Sequence, residues 1–248
     1  VTIADILLRV VPRARGELER LEVAVDLARR VQGKLNGVFL APQDDADAEW
    51  ARTLFERAVV RSPLETSWRV VDRRVDAGLL FLARRSDLII LPSADAAHDG
   101  RGRDPDYLAT QAGRPLLILP PPITGAPVGH TVVVGWNESR AAARAIHDAM
   151  PILMVAERVH VLSVRGPDEV ELIADVPLRQ HLRQHGVTAE FEHRLGEDPA
   201  EEIAAAARRL DADLVVIGLS ERADEEGGFG DVSQRFLHTG SLPVFCSR

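Results

Sequence analysis

The chain has 248 residues, 46% of them hydrophobic and 27% charged, with a formal net charge of −8. That length suffices for two small cores, and no apolar run approaches the ~18 residues of a membrane span. Residues 1–124 balance 18 basic against 18 acidic side chains while residues 125–248 carry 12 against 20, and such an acidic second half argues against nucleic acid, which needs a basic face.

The single cysteine, Cys246, precludes an intrachain disulfide and a cysteine metal cluster, and is expected to be buried and inert. Val1–Val11 lacks the basic flank and small-residue cleavage site of a signal peptide. The expected location is the cytoplasm.

Taken in order, Ile3–Val10 reads as a strand, Gly16–Val31 as a helix and Leu35–Leu40 as the next strand. A helix around Ala46–Val60 leads to a strand at Thr66–Val71. A helix near Ala77–Arg85 precedes a strand at Leu88–Leu91, and a short helix at Pro105–Gln111 precedes a strand at Leu116–Leu119. The run Pro120-Pro121-Pro122-Ile123-Thr124-Gly125-Ala126-Pro127 is a stiff linker that cannot enter a sheet interior.

The second half repeats the order. Thr131–Trp136 is an apolar β-branched run, the mark of a strand covered on both faces. Arg140–Met154 carries Ala143, Ile146, Ala149, Met150 and Leu153 at helical spacing. Then come a strand at Val159–Val164, a helix at Val170–His185 stopped by Gly186, and a strand at Val187–His193. Pro199–Leu210 is a helix with Pro199, Glu201 and Glu202 in its first turn. A strand at Leu214–Ile217, a short helix at Val232–His238 and a strand at Leu242–Phe245 complete it.

The two halves are copies of one unit. Asp87-Leu88-Ile89-Ile90-Leu91 answers Asp213-Leu214-Val215-Val216-Ile217, and Arg114–Ile118 answers Leu242–Cys246. Alternating strands and helices predict an α/β protein of two doubly wound, five-stranded parallel-sheet domains. The expected division is residues 1–119, a linker over 120–129, and residues 130–248. Ligands in such sheets bind at the carboxyl ends of the strands, where strand order reverses, so the loops after strands 1 and 4 of each half carry the functional expectation.

Val132-Val133-Val134-Gly135-Trp136-Asn137-Glu138-Ser139-Arg140-Ala141-Ala142-Ala143 resembles the opening of a universal stress protein domain, and Asp213–Cys246 resembles its close. The first half resembles the same family more weakly, through Asp26-Leu27-Ala28-Arg29-Arg30, Asp87–Leu91 and Pro115–Leu119. The whole is similar to tandem universal stress proteins. That resemblance implies an adenine nucleotide alpha hydrolase-like fold in both domains, the first degenerate, related by pseudo-twofold symmetry as an intrachain pseudo-dimer. It leaves a further homodimer open.

ATP-binding members of the family carry a glycine loop of the form G-x2-G-x9-G-[ST] after strand 4, whose backbone N–H groups hold phosphate, and an acid at the end of strand 1. Here Gly218 fits the first glycine, Glu221 replaces the second, Gly230 lies one residue short of the third, and Asp231 replaces the hydroxyl. Trp136 stands at the strand-1 acid. Glu221, Asp224, Glu225, Glu226 and Asp231 would surround a triphosphate with negative charge, and one like-charge contact at about 4 Å opposes binding by ~4 kcal/mol at an effective dielectric of ~20. Asp231-Val232-Ser233-Gln234 also reads as a capping box opening the last helix.

The expected function is therefore a non-enzymatic stress-response binding or regulatory module that does not bind ATP, with protein partners or a small-molecule ligand. The alternative is an adenine-nucleotide sensor that uses the loop after strand 4. Either reading places the site at Trp136, Asn137, Gly218, Ser220, Gly228, Gly230, Asp231 and Ser233. In the first half, Gly100, Arg101, Gly102 and Arg103 form a loop that could hold an anion, though a solvated loop is the expectation. His181 and His185, with His193 on the next strand, lack a third metal ligand at established spacing, and no nucleophile motif is visible.

Overall fold

A computed structural model describes residues 2–11, 14–41, 47–72, 76–93, 105–121, 127–166, 175–220, 230–238 and 241–248. The chain divides into two compact units, Thr2–Pro127 and Val128–Arg248. Among the described residues no helix is long and apolar enough to cross a membrane.

The N-terminal unit runs β1 (Asp5–Val10), α1 (Glu17–Arg30), β2 (Lys34–Ala41), α2 (Asp47–Val59), β3 (Thr66–Asp72), α3 (Asp76–Ala83), β4 (Leu88–Pro92), α4 (Pro105–Gln111) and β5 (Leu116–Leu119). Its strands are parallel in the order β3-β2-β1-β4-β5. The central strands are continuous apolar runs because helices cover both faces; every residue of β4 and β5 is buried. No residue of the edge strand β3 is buried; Arg69 and Val70 are exposed and the rest are half-buried.

The C-terminal unit runs β6 (Thr131–Gly135), α5 (Arg140–Leu153), β7 (Arg158–Arg165), α6 (Asp175–Gln184), β8 (Ala189–Leu195), α7 (Pro199–Arg209), β9 (Leu214–Gly218), α8 (Asp231–His238) and β10 (Val244–Ser247). Its order, β10-β9-β6-β7-β8, is the same parallel pattern. Strand order reverses at β1/β4 and again at β6/β9, as in doubly wound sheets.

Two strands sit two residues later than periodicity suggests. Gly186 takes the left-handed conformation (φ 79°), and the Val187 N–H then turns back to the Leu182 carbonyl at 2.9 Å. Val187 is therefore part of the stop of α6, and β8 starts at Ala189. The last strand starts at Val244, after Pro243, and reaches Ser247 beside Gly218. Cys246 is fully buried in it. Residues 122–126 of the linker and the Gly100–Arg103 loop lie outside the described residues.

Candidate functional site

The carboxyl ends of β6, β7 and β9 enclose a crevice of about 130 Å³ in the C-terminal unit. Trp136, Asn137 and Ser139 reach it from the turn after β6, Leu162 and Val164 from β7, Pro199 and Ile203 from α7, Gly218 and Ser220 from the end of β9, and Val232 from α8. Strand order reverses between β6 and β9, so the loops leaving them diverge to opposite faces and open this gap.

Each polar group has a local cause. The Ser139 hydroxyl accepts the Ala142 N–H at 3.1 Å, capping α5, and the side-chain Oδ1 of Asn137 accepts the Ser139 N–H at 3.2 Å. The Trp136 backbone N–H continues the sheet to the Leu162 carbonyl at 2.9 Å, while its indole Nε1 is buried without a hydrogen-bond partner among the described residues. Gly218 passes under the start of α5 so closely that a Cβ there would lie 2.3 Å from the backbone of Ala141 and Ala142. A side chain at 218 cannot coexist with that helix position.

Trp136, Asn137, Gly218 and Ser220 are thus brought together. Gly230, Asp231 and Ser233 are not among the described lining residues, and Gly228 lies outside the described residues with Glu221, Asp224, Glu225 and Glu226. The Gly230 N–H donates to the Ser220 carbonyl at 2.9 Å, and its own carbonyl accepts from Gln234 at 3.0 Å. Gly230 therefore holds the capping position of α8. Asp231 stands one residue further in than a capping box requires, in the first turn, where a negative charge still suits the positive helix end. Ser233 is fully buried and its hydroxyl has no partner among the described residues.

Sequence reasoning missed the apolar wall. Leu162, Val164, Pro199, Ile203 and Val232 come from three other elements; Val164, Pro199 and Val232 lie near element ends at the carboxyl side of the sheet, while Leu162 and Ile203 carry no local signal. No lysine or arginine lines the crevice among the described residues.

His193 Nε2 lies 3.0 Å from Asp175, His181 and His185 make an edge contact at 4.8 Å, and no group of three potential ligands occurs among the described residues.

The N-terminal unit is built differently at the end of β1. Ile6 pairs with Leu88 where Val132 pairs with Leu214, so Val10 stands at the place of Trp136 and Pro92 at that of Gly218. Beyond it, the buried Glu17 carboxylate accepts the Val11 N–H at 2.8 Å and binds the Arg20 guanidinium, which also donates to the Arg9 carbonyl at 2.6 Å. Burial raises the Glu17 carboxyl above the ordinary range although Arg20 opposes this.

Residues 130–248 match the Universal stress protein family. None of the curated proteins matches the sequence. Among solved structures, a universal stress protein from Archaeoglobus fulgidus DSM 4304 is similar at a TM-score of 0.67 and 14% identity, covering 98% of each chain. A functionally unknown protein from Pseudomonas aeruginosa PAO1 is similar at 0.65 and 18% identity, over 99% of this chain and 92% of that one. The cytoplasmic domain of a prokaryotic cation chloride cotransporter also shares the fold, at 0.55 and 12% identity over 98% and 95%. At these identities the likeness speaks for architecture alone. Residues 130–248 accordingly belong to the universal stress protein family, and the chain as a whole carries that family's fold in two successive units.

Proposed function

We propose that this chain is a non-enzymatic binding or regulatory module of the stress response that does not hold ATP. The observation that carries this reading is the chemistry of the C-terminal crevice. Its described walls are apolar side chains with neutral polar groups, no lysine or arginine lines it, and Trp136 fills the place of an acid. A triphosphate entering there meets no cation among the described lining residues to offset its charge, and Asp231 stands in the first turn of the neighbouring helix. Among the described residues no catalytic constellation accompanies the crevice, which supports binding rather than turnover.

A second reading keeps an adenine-nucleotide site but strips it of charge. Asn137, Ser139 and Ser220 give the crevice neutral polar groups suited to a nucleoside. The test for both is calorimetry and thermal shift of the full chain with ATP, ADP, AMP and adenosine in the presence of Mg²⁺. Silence towards ATP is expected. Stoichiometric ATP binding overturns the proposal, and binding of adenosine without ATP selects the second reading.

A further inference from the structure

The N-terminal unit has a cavity of its own at the opposite, amino end of its strands. It measures about 220 Å³ and is lined by Asp5, Asn36, Arg69, Phe81, Arg85 and Ser86, with Leu7 and Gly37 behind them. A relay of hydrogen bonds fixes its floor. The Ser67 hydroxyl donates to Asn36 Oδ1 at 2.6 Å, and the Asn36 side-chain Nδ2 donates to Asp5 Oδ1 at 2.7 Å and to the Ile6 carbonyl at 3.3 Å. The Asp5 carboxylate retains lone pairs beyond those bonds. On the other side, the Arg85 guanidinium lies over the Phe81 ring at 3.6 Å and donates to the Phe81 carbonyl at 3.0 Å. Arg69 has no hydrogen bond or ion pair among the described residues.

The C-terminal unit provides the comparison, because strand register sets equivalent positions. Leu7 pairs with Asn36 and Asn36 with Ser67, as Val133 pairs with His160 and His160 with Glu190. Thr131, His160, Glu190 and Glu192 therefore occupy the places of Asp5, Asn36, Ser67 and Arg69. There the polar groups engage one another. Arg158 donates to the Thr131 hydroxyl at 3.0 Å, His160 lies 3.3 Å from Glu190, and Glu192 accepts from Arg194 at 2.7 Å and Arg209 at 2.5 Å. The same architecture thus closes this place with internal pairs in one unit and leaves a guanidinium unmatched in the other. The fold does not demand an unmatched Arg69.

Guanidinium groups recognise carboxylate and phosphate oxygens through paired N–H donors. A fixed carboxylate across the cavity accepts from a hydroxyl or an ammonium. We infer that this cavity binds a small organic anion that also carries a hydroxyl or ammonium donor, its anionic group on Arg69 and Arg85 and its donor on Asp5. The site is separate from the C-terminal crevice and does not depend on the reading given for it.

The experiment is isothermal calorimetry of the full chain with two probes that carry both ends, L-serine and glycerol 3-phosphate. Acetate, inorganic phosphate and glycerol, which carry one end each, are the controls. At least one probe is expected to bind more tightly than its one-ended controls. Arg69→Ala should weaken that binding at least tenfold; Arg69 is exposed, so the variant keeps the fold, which its melting curve checks. Asp5→Asn should weaken L-serine more than glycerol 3-phosphate, because the ammonium loses a charged partner. Glu192→Gln, at the equivalent place in the other unit, should change nothing. The inference is overturned if neither probe binds at millimolar concentration, if phosphate or acetate binds as tightly as the probes, or if Arg69→Ala leaves affinity intact.

Discussion

Asp87 and Asp213 stand at the same point of the two units and do the same work. The Asp213 carboxylate accepts the backbone N–H groups of Gly129, His130 and Thr131 at 2.6–3.1 Å. The Asp87 carboxylate accepts those of Ala4 and Asp5 at 2.9 and 3.0 Å. Each fastens the chain entering strand 1 to the residue that precedes strand 4. Backbone donors there have no ladder partner, and a carboxylate meets several at once.

Asp213→Ala should consequently cost about 3 kcal/mol of stability, since charge-assisted bonds are lost and part-buried N–H groups are orphaned. Asp87→Ala, with one N–H fewer, should cost less. Urea denaturation midpoints of the two variants check the order.

Gly218→Ala should destabilise the C-terminal unit by roughly 2–3 kcal/mol or more, because its Cβ meets helix backbone, which cannot swing aside. Gly230→Ala should be milder. Its Cβ would lie 2.8 Å from the Ser220 hydroxyl oxygen, a side-chain atom that can rotate. Thermal melting of the pair separates the two.

Glu17 and Arg20 are both almost fully buried. Removing one partner leaves the other charge uncompensated, so Arg20→Ala should cost about 3–5 kcal/mol. Replacing both, as Glu17→Leu with Arg20→Met, should cost less than Arg20→Ala alone but not nothing, because the Val11 N–H and the Arg9 carbonyl lose these partners. A double-mutant cycle reads the difference.

Asp198 caps α7 by accepting the Glu201 N–H at 3.0 Å, and Arg235 binds its other oxygen at 2.6 Å. The Glu201 N–H, reinforced by Arg235, holds its carboxyl below the ordinary value of 3.8. A depressed folded-state value means stability that is present above 3.8 and lost as pH falls through the lowered value. Asp198→Asn keeps an acceptor for the cap but not the charge. Wild type should therefore exceed Asp198→Asn in stability near neutrality, and the gap should close in strong acid, as denaturation followed against pH would register.

Trp136 is one of three tryptophans, with Trp50 and Trp68 in the other unit. A ligand entering the crevice should alter emission in wild type and leave Trp136→Phe unresponsive. A full response in Trp136→Phe would place the ligand elsewhere.

The architecture was largely legible because its signals are local. Leu88–Leu91 and Leu214–Val216 are runs that only a strand covered on both faces tolerates, and their repetition exposes the duplication. Strand ends were less legible at Val187 and Leu242, where a backbone reversal and a proline postpone pairing without changing the apolar pattern. The site was half legible. Trp136, Asn137, Gly218 and Ser220 follow strands 1 and 4 directly and are found by rule. Ile203 and Val232 reach the crevice only through packing across elements. The Asp5–Asn36–Ser67 relay joins residues on three strands, and no spacing in the sequence announces it.

Gly218 against Ala141 and the Gly230 N–H on the Ser220 carbonyl fix the two ends of the segment between them, whatever residues it contains. Both anchors are made by main-chain atoms, so the end of β9 and the start of α8 stay tied at a point that no side-chain substitution at Ser220 can cut.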